Sequence, residues 1–166
     1  MSQDLLNKLT ESINLNVGGA IEKAELPYDF ATITIHKEHI HEVLEFLKND
    51  KNWNFHFLTD LTGFQTADEK QLGVVYHLHN MITNIRVRIK THFDINKPEI
   101  PTATDIWPGA NWMERETFDF YGVKFKGHPN LKRILNVDEM DIFPLRKEYP
   151  LEDQQREDKD DKMFGR

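Results

Sequence analysis

Residues 84–92 carry the most regular hydrophobic alternation in the sequence. Three aliphatic and three basic residues alternate in the order Ile85, Arg86, Val87, Arg88, Ile89 and Lys90. Because successive side chains of a strand point to opposite faces, this period of two predicts a strand with one packed face and one basic face. The basic face has two interpretations that the pattern leaves open. It is either a solvated strand face or a docking surface for an acidic partner.

The remaining elements follow from the same kind of periodicity. Helices are predicted at 3–15, 37–49 and 111–121, and further strands at 20–26, 30–35, 54–62 and 71–79. Short connections in the order α-β-β-α-β-β-β-α favour antiparallel neighbours. We therefore expect an α+β fold in two layers, with a mostly antiparallel or mixed sheet and helices on one face.

The chain changes character after residue 122, where Gly122 stands at the position expected to end the third helix. Segments 127–135 and 144–151 alternate proline, basic and aliphatic residues. An extended chain without a ladder partner leaves its backbone polar groups unsatisfied. We therefore divide the chain into an α+β domain, 1–122, and an extended C-terminal arm, 123–166, that contacts partner chains. An ordered loop folded back over the domain is the alternative.

The end of this arm, 151–166, holds six acidic and four basic residues and few apolar ones. Such a composition cannot form a core, so this tail is expected to be flexible when the chain is alone.

Composition excludes several classes of function. The sequence has no cysteine, which rules out thiolate ligation of iron–sulfur clusters, cysteine zinc sites and disulfides. A net charge of −7 disfavours bulk nucleic-acid binding. The beginning, MSQDLLNKL, does not resemble a signal peptide, and no run of about 18 apolar residues predicts a membrane span. Dinucleotide-binding and P-loop glycine motifs are absent from the sequence.

Candidates for chemistry are few. His56, His77 and His79 are a possible metal set, although scattered histidines without an HExxH spacing are the simpler interpretation. Glu114 and Glu116 are two positions apart on a predicted helix, so their carboxylates diverge and do not suit acid–base catalysis. We expect no catalytic, cofactor-binding or metal-binding residue in this chain.

The third predicted helix, within WMERETFDFYG at 112–122, is unusually aromatic. Trp112 lines up with Glu116 and Phe120, and Arg115 is spaced to pair with Asp119. The aromatic residues either complete the core or serve as anchors against another protein.

Three motifs carry a family resemblance. The helix reads E-R-E-x-x-D-x-x-G at 114–122, then F-x-G-H-P-x-L-x-R follows at 125–133 and P-L-R-K-E-Y-P at 144–150. Together they resemble the C-type or 30 kDa-type subunit of respiratory complex I, in which the fifth residue of the last motif is often Asp where this chain has Glu148.

The resemblance implies a non-catalytic structural subunit in the peripheral arm of a proton-translocating NADH–quinone oxidoreductase. It implies a position on the cytoplasmic face of the inner membrane, held through partner subunits. It implies no cofactor on this chain, with FMN, iron–sulfur clusters and quinone on other subunits. The implied partners are the D-type subunit above all, and the B- and I-type subunits. Related modules of membrane-bound hydrogenases and of other quinone- or F420-linked complexes remain the alternative.

The expected partner-contacting residues all lie in the third helix and the arm. They are Trp112, Glu114, Arg115, Asp119, Gly122, Gly127, His128, Pro129, Arg133, Pro144, Leu145, Arg146, Lys147 and Tyr149. Among these, Arg146 and Lys147 are expected to meet acidic groups or backbone carbonyls of a partner.

Overall fold

The computed structural model describes residues 2–149, and within them it contains three α-helices and seven strands. The helices are α1 (Ser2–Asn16), α2 (Ile40–Asn49) and α3 (Ala110–Tyr121). The strands are β1 (Ile21–Glu25), β2 (Thr32–Ile35), β3 (Phe57–Gln65), β4 (Gln71–Asn80), β5 (Ile85–Asp94), β6 (Glu99–Pro101) and β7 (Lys124–Lys126). Single 3₁₀ turns at Pro27–Asp29 and Lys37–His39 precede β2 and α2.

Five strands form one sheet in the order β1-β2-β5-β4-β3. All neighbours are antiparallel except β2 and β5, which run parallel with Ile33 opposite Ile89. The predicted α+β fold with a mixed, mostly antiparallel sheet is therefore confirmed.

The alternation in β5 sets the two sides of this sheet. Val87 and Ile89 are fully buried in the core, whereas Arg86 is exposed and Lys90 is half-buried, as the sequence predicts. The apolar stripes of α1 and α2 join the same core cluster as the aliphatic face of β5. Burying such side chains stabilises the fold by about 1.5–3 kcal/mol each.

Helix α3 lies directly on β3. A Cβ atom placed on Gly63 would come within 2.6 Å of the Tyr121 ring and 3.0 Å of the Thr117 methyl group, so only glycine permits this approach. This contact fixes the position of α3 on the sheet, and the segment after β7 then packs on α3.

The short strands β6 and β7 were not predicted. They pair in parallel with Ile100 opposite Phe125, and Val123 and Phe125 are buried in the core. The first residues of the predicted arm thus pack into the domain, while 127–149 contains no helix or strand. The division at residue 122 stays a prediction, and Pro150 and the tail 151–166 lie outside the described residues.

Several element boundaries differ from the sequence prediction by a few residues. The helix predicted from residue 37 begins at Ile40, after the 3₁₀ turn Lys37–His39. The strand predicted from residue 54 begins at Phe57, because a turn precedes it. The Asp50 carboxylate accepts the N–H groups of Asn52 and Trp53, and Asn54 adopts a left-handed φ of 39°. No helix within 2–149 is long and apolar enough to cross a bilayer.

Candidate functional site

The carboxylate of Asp119 connects α3 to the segment that follows β7. Its Oδ2 accepts hydrogen bonds from the backbone N–H groups of Ile134, Leu135 and Asn136 at 3.1, 2.8 and 2.9 Å. Its Oδ1 accepts from the Arg133 guanidinium at 2.8 Å. Burial raises the pKa of this carboxyl, but the hydrogen bonds outweigh it and hold the pKa well below the usual value. Asp119 is therefore ionised. It accepts hydrogen bonds from backbone N–H groups that have no partner in a β-sheet.

Arg133 supplies the opposite half of this junction. Its guanidinium also donates to the carbonyls of Met140 and Ile142, and it lies 5.2 Å from the centre of the Phe143 ring. Only 9% of the side chain is exposed. One guanidinium thus holds the irregular backbone at 140–142 against α3.

Arg115 fixes the segment one turn earlier on α3. Its Nε and Nη2 atoms donate to the carbonyls of Lys132 and Arg133 at 3.1 and 3.0 Å. Its other side faces the Trp112 ring at 5.1 Å. The predicted ion pair between Arg115 and Asp119 is wrong, because each is engaged by the segment after β7 rather than by the other.

The end of α3 is closed by an aromatic ring between two guanidinium groups. Gly122 has a left-handed φ of 74°, which confirms the predicted helix end. Phe143 packs there with Arg133 at 5.2 Å and Arg146 at 4.7 Å from its ring centre. Arg146 also donates to the Tyr121 carbonyl at 2.8 Å.

The last described residues return to the sheet. The Leu145 N–H donates to the Phe120 carbonyl, and the Lys147 ammonium donates to the Thr66 carbonyl at 3.0 Å. Arg146 and Lys147 therefore meet backbone carbonyls of this chain, and their contact with a partner stays a prediction. Pro144 is half-buried, and Tyr149 donates its N–H to the Arg146 carbonyl.

Glu114 ties α3 to the segment after β6. It is fully buried, and it accepts hydrogen bonds from the Thr102 hydroxyl at 2.5 Å and the Ala103 N–H at 2.6 Å. Burial raises the pKa of Glu114 to about 7 despite these donors. Glu116 is exposed, so the predicted divergence of the two carboxylates is confirmed.

Residues 127–130 form the turn that starts the irregular segment. Gly127 has a left-handed φ of 89° and Pro129 is exposed. His128 donates through Nε2 to the Asn111 carbonyl and accepts the Asn130 N–H at Nδ1. The tautomer with the proton on Nε2 satisfies both bonds.

Five large apolar side chains of α3 and of the segment after β7 are exposed. They are Trp112 at 62% exposure, Leu135 at 67%, Val137 at 63%, Ile142 at 39% and Leu145 at 52%. Exposed apolar side chains on a rigidly held backbone are typical of a protein-binding surface. We call these five residues the apolar row.

The structure thus gathers most of the residues expected to contact partners, but it gives many of them contacts inside the chain. Their contact with a partner stays a prediction. Sequence reasoning missed Thr102, Asn136 and Phe143, whose roles depend on distant backbone and leave no local pattern.

The histidine alternative gains no support. His77 contacts Asp60 and Arg88, His79 contacts Asn84, and His56 contacts a backbone carbonyl. Within residues 2–149 no group of three or more His, Asp or Glu side chains is placed to hold a metal ion.

The fold is thus an α+β sheet domain whose last helix anchors a long irregular segment. The chain belongs to the family described as respiratory-chain NADH dehydrogenase, 30 Kd subunit, whose profile matches residues 33–155. The resemblance that the three motifs predict is confirmed.

Curated relatives agree with this assignment. The C-type subunit of the NADH-quinone oxidoreductase of Xanthobacter autotrophicus is 37% identical over 89% of this chain and 70% of its own length. Its counterpart in Brucella ovis is 39% identical over 91% of this chain and 75% of its own length. These names place the family among the subunits of complex I, in respiratory electron transport from NADH to quinone.

Two solved structures share the fold at 23% identity. One is a chain of the membrane-bound sulfane sulfur reductase, an archaeal respiratory membrane complex, with a TM-score of 0.72 over 90% of this chain and 85% of the other. The second is the trypsin-resistant fragment 1–134 of Nqo5, with a TM-score of 0.58 over 79% of this chain and all of the fragment.

Proposed function

We propose that this chain is a non-catalytic structural subunit of the peripheral arm of a proton-translocating NADH–quinone oxidoreductase, and that it docks the D-type subunit. The proposal is supported above all by the way in which residues 127–149 are held. Polar side chains fix the backbone of this segment to α3, while the side chains of the apolar row remain exposed to solvent.

Rigid presentation favours binding. Asp119, Arg115 and Arg133 hold the backbone of 132–142 in one conformation before any partner arrives. Association then loses less conformational entropy than it would for a flexible arm. Leu135 and Val137 are 67% and 63% exposed, so the burial of both side chains against a partner contributes directly to affinity.

Trp112 extends the same surface onto α3. It is 62% exposed, yet the guanidinium of Arg115 fixes one face of its ring. Tryptophan and arginine are the residues most enriched among energetically dominant interface contacts. A groove of the D-type subunit that accepts this ring would join α3 and the segment 127–149 in one interface.

The chain is held on the cytoplasmic face of the membrane by its partner subunits, which include the B- and I-type subunits. FMN, the iron–sulfur clusters and quinone are bound by other subunits. The lack of cysteine in the sequence supports this distribution, since iron–sulfur clusters are held by thiolates.

The alternative is the equivalent subunit of a related respiratory complex. The fold is shared with a chain of the sulfane sulfur reductase complex, which supports this alternative. The relatives at 37–39% identity carry the name of the NADH-linked enzyme, which favours the first function. Loss of NADH-dependent quinone reduction by membranes that lack the chain supports the first, and unchanged activity supports the alternative.

The docking role is tested by replacing outward aliphatic side chains. Leu135→Asp together with Val137→Asp should deplete membranes of the assembled complex and of NADH:quinone activity in proportion. Ile82→Asp is the matched control, because Ile82 is 82% exposed in the turn between β4 and β5, away from the apolar row. Equal effects of the two changes would contradict the proposal.

A further inference from the structure

The second face of the five-stranded sheet carries no α-helix within residues 2–149, although Thr32 and Val75 are buried there. α1, α2 and α3 all contribute to the core on the side of Ile33, Tyr76 and Ile89. On the opposite side, β3 exposes Phe57, Asp60 and Thr62, and β5 exposes or half-exposes its basic residues and His92. We call this side the open face.

Three cations on the open face have no carboxylate partner within 4 Å among residues 2–149. They are Arg86, Arg88 and Lys90, which follow one another along the central strand β5. This run is notable in a chain whose net charge is −7. A run of cations on one strand face is complementary to an acidic surface of a partner.

Acidic side chains in this region contact histidine or lysine. Asp60 lies 3.4 Å from His77, and Glu22 lies 3.4 Å from His92. Glu25 pairs with Lys23 at 2.6 Å, and this hydrogen bond, together with the nearby Lys90, lowers the pKa of Glu25. Each of these three acids is more than 4 Å from the three cations, so none forms an ion pair with them.

Two of the cations are held in fixed positions. The Arg88 Nε atom donates to His77 at 2.9 Å, and its guanidinium lies 5.0 Å from the centre of the Phe30 ring. The Lys90 ammonium lies 5.6 Å from the Phe64 ring centre. Fixed cations form an ion pair with less loss of side-chain entropy than free ones. The neighbouring Phe57, which is 45% exposed, adds an aromatic contact.

We propose that the open face binds an acidic helix of a neighbouring protein subunit. Side chains on one face of β5 recur at about 6.8 Å, the rise of two strand residues. Carboxylates four residues apart on a helix recur at about 6 Å, which matches this spacing. The proposal rests on the proposed function only in taking the neighbour from the same complex.

The open face and the apolar row lie on different parts of the molecule. The apolar row belongs to α3 and to the segment after β7, and α3 packs on the core side of β3 through Gly63. The protein would therefore bind one neighbour through apolar side chains and a second through charges.

The test is photo-crosslinking in the intact membrane complex. A benzoylphenylalanine at Thr62, which is exposed on the open face, should form an adduct with a helical segment of another subunit that is rich in Asp and Glu. The same group at Glu11, on the outside of α1, is the position control. An adduct with lipid, an adduct with residues 150–166 of the same chain, or no adduct specific to Thr62 overturns the proposal.

Charge reversal gives the second arm of the test. Arg86→Glu together with Lys90→Glu should lower the yield of the Thr62 adduct at least tenfold, and lysines at the crosslinked acids of the partner should restore it. Lys51→Glu with Lys124→Glu, at two other exposed lysines, should leave the yield unchanged. If charge reversal leaves the adduct yield unchanged in a chain that still assembles with the complex, the open-face proposal is wrong. The proposed function is not affected by that result. Loss of the complex in the Leu135 and Val137 variant concerns the proposed function and not the open face.

Discussion

Asp119 and Arg133 form an ion pair that joins α3 to the irregular segment, with Oδ1 of the aspartate 2.8 Å from Nη1 of the arginine. Asp119 is fully shielded from solvent, and it also accepts three backbone N–H groups. A surface ion pair contributes little to stability, whereas the loss of one member of a buried pair leaves an uncompensated charge.

Asp119→Asn should therefore lower the free energy of unfolding by about 3 kcal/mol. The amide keeps the size of the carboxylate but removes the charge that Arg133 and the three N–H groups face. Urea denaturation of the purified chain measures the change. Asp138→Asn is the control at an exposed position of the same segment, and the account fails if both variants lose the same stability.

Glu114 gives the chain a specific dependence of stability on pH. Burial raises its pKa from 4.5 to about 7 in the folded state. The folded protein thus binds this proton more tightly than the unfolded chain does. The stability from Glu114 is fully present below pH 4.5 and is lost as pH rises through about 7.

The expected size of this loss is about 3 kcal/mol between the two pKa values. Glu114→Gln keeps an uncharged side chain at all pH values, so the difference in unfolding free energy between variant and parent should change steadily from pH 4.5 to about 7 and then level off. Denaturation curves at a series of pH values measure it. A difference that is constant across this range would mean that Glu114 is not titrating in the folded chain.

Gly122 and Gly19 form a matched pair of left-handed glycines, with φ of 74° and 75°. A Cβ at Gly122 would lie 2.6 Å from the Phe143 ring, whereas a Cβ at Gly19 meets nothing within 4 Å. Gly19→Ala should lose about 1 kcal/mol of stability from the backbone alone. Gly122→Ala should lose about 1–3 kcal/mol more, because Phe143 and Arg146 must move.

Thermal unfolding of the two glycine variants measures this difference. Equal losses would show that Phe143 does not pack tightly on the end of α3.

Most of the domain could be predicted from periodicity. The strand at Ile85–Asp94 and the helices are recognisable because one face of each is buried, which forces a repeat of two or of 3.6 on the sequence. Strand β6 could not be predicted, since it has three residues and ends at Pro101. An element of that length has no period to detect.

The candidate site was only partly predictable, for a different reason. The motifs identify Asp119 and Arg133, but the sequence cannot indicate that the acid binds backbone groups 15 to 17 residues away. Backbone N–H donors occur at every residue except proline and carry no signature. The spacing of Arg115 and Asp119 permits a helical ion pair, yet the carbonyls of 132–133 and the guanidinium of Arg133 bind them instead.

Docking of the D-type subunit by the apolar row can be measured with the two purified proteins alone. The most direct test is the dissociation constant of the purified chain for the purified D-type subunit, measured for the parent and for Leu135→Asp. Burial of a leucine is worth about 1.5–3 kcal/mol, so we expect affinity to fall by about tenfold or more. The melting temperature of the free chain should stay the same, because Leu135 is 67% exposed. Unchanged affinity in Leu135→Asp, with Ile82→Asp binding equally well, would contradict the account.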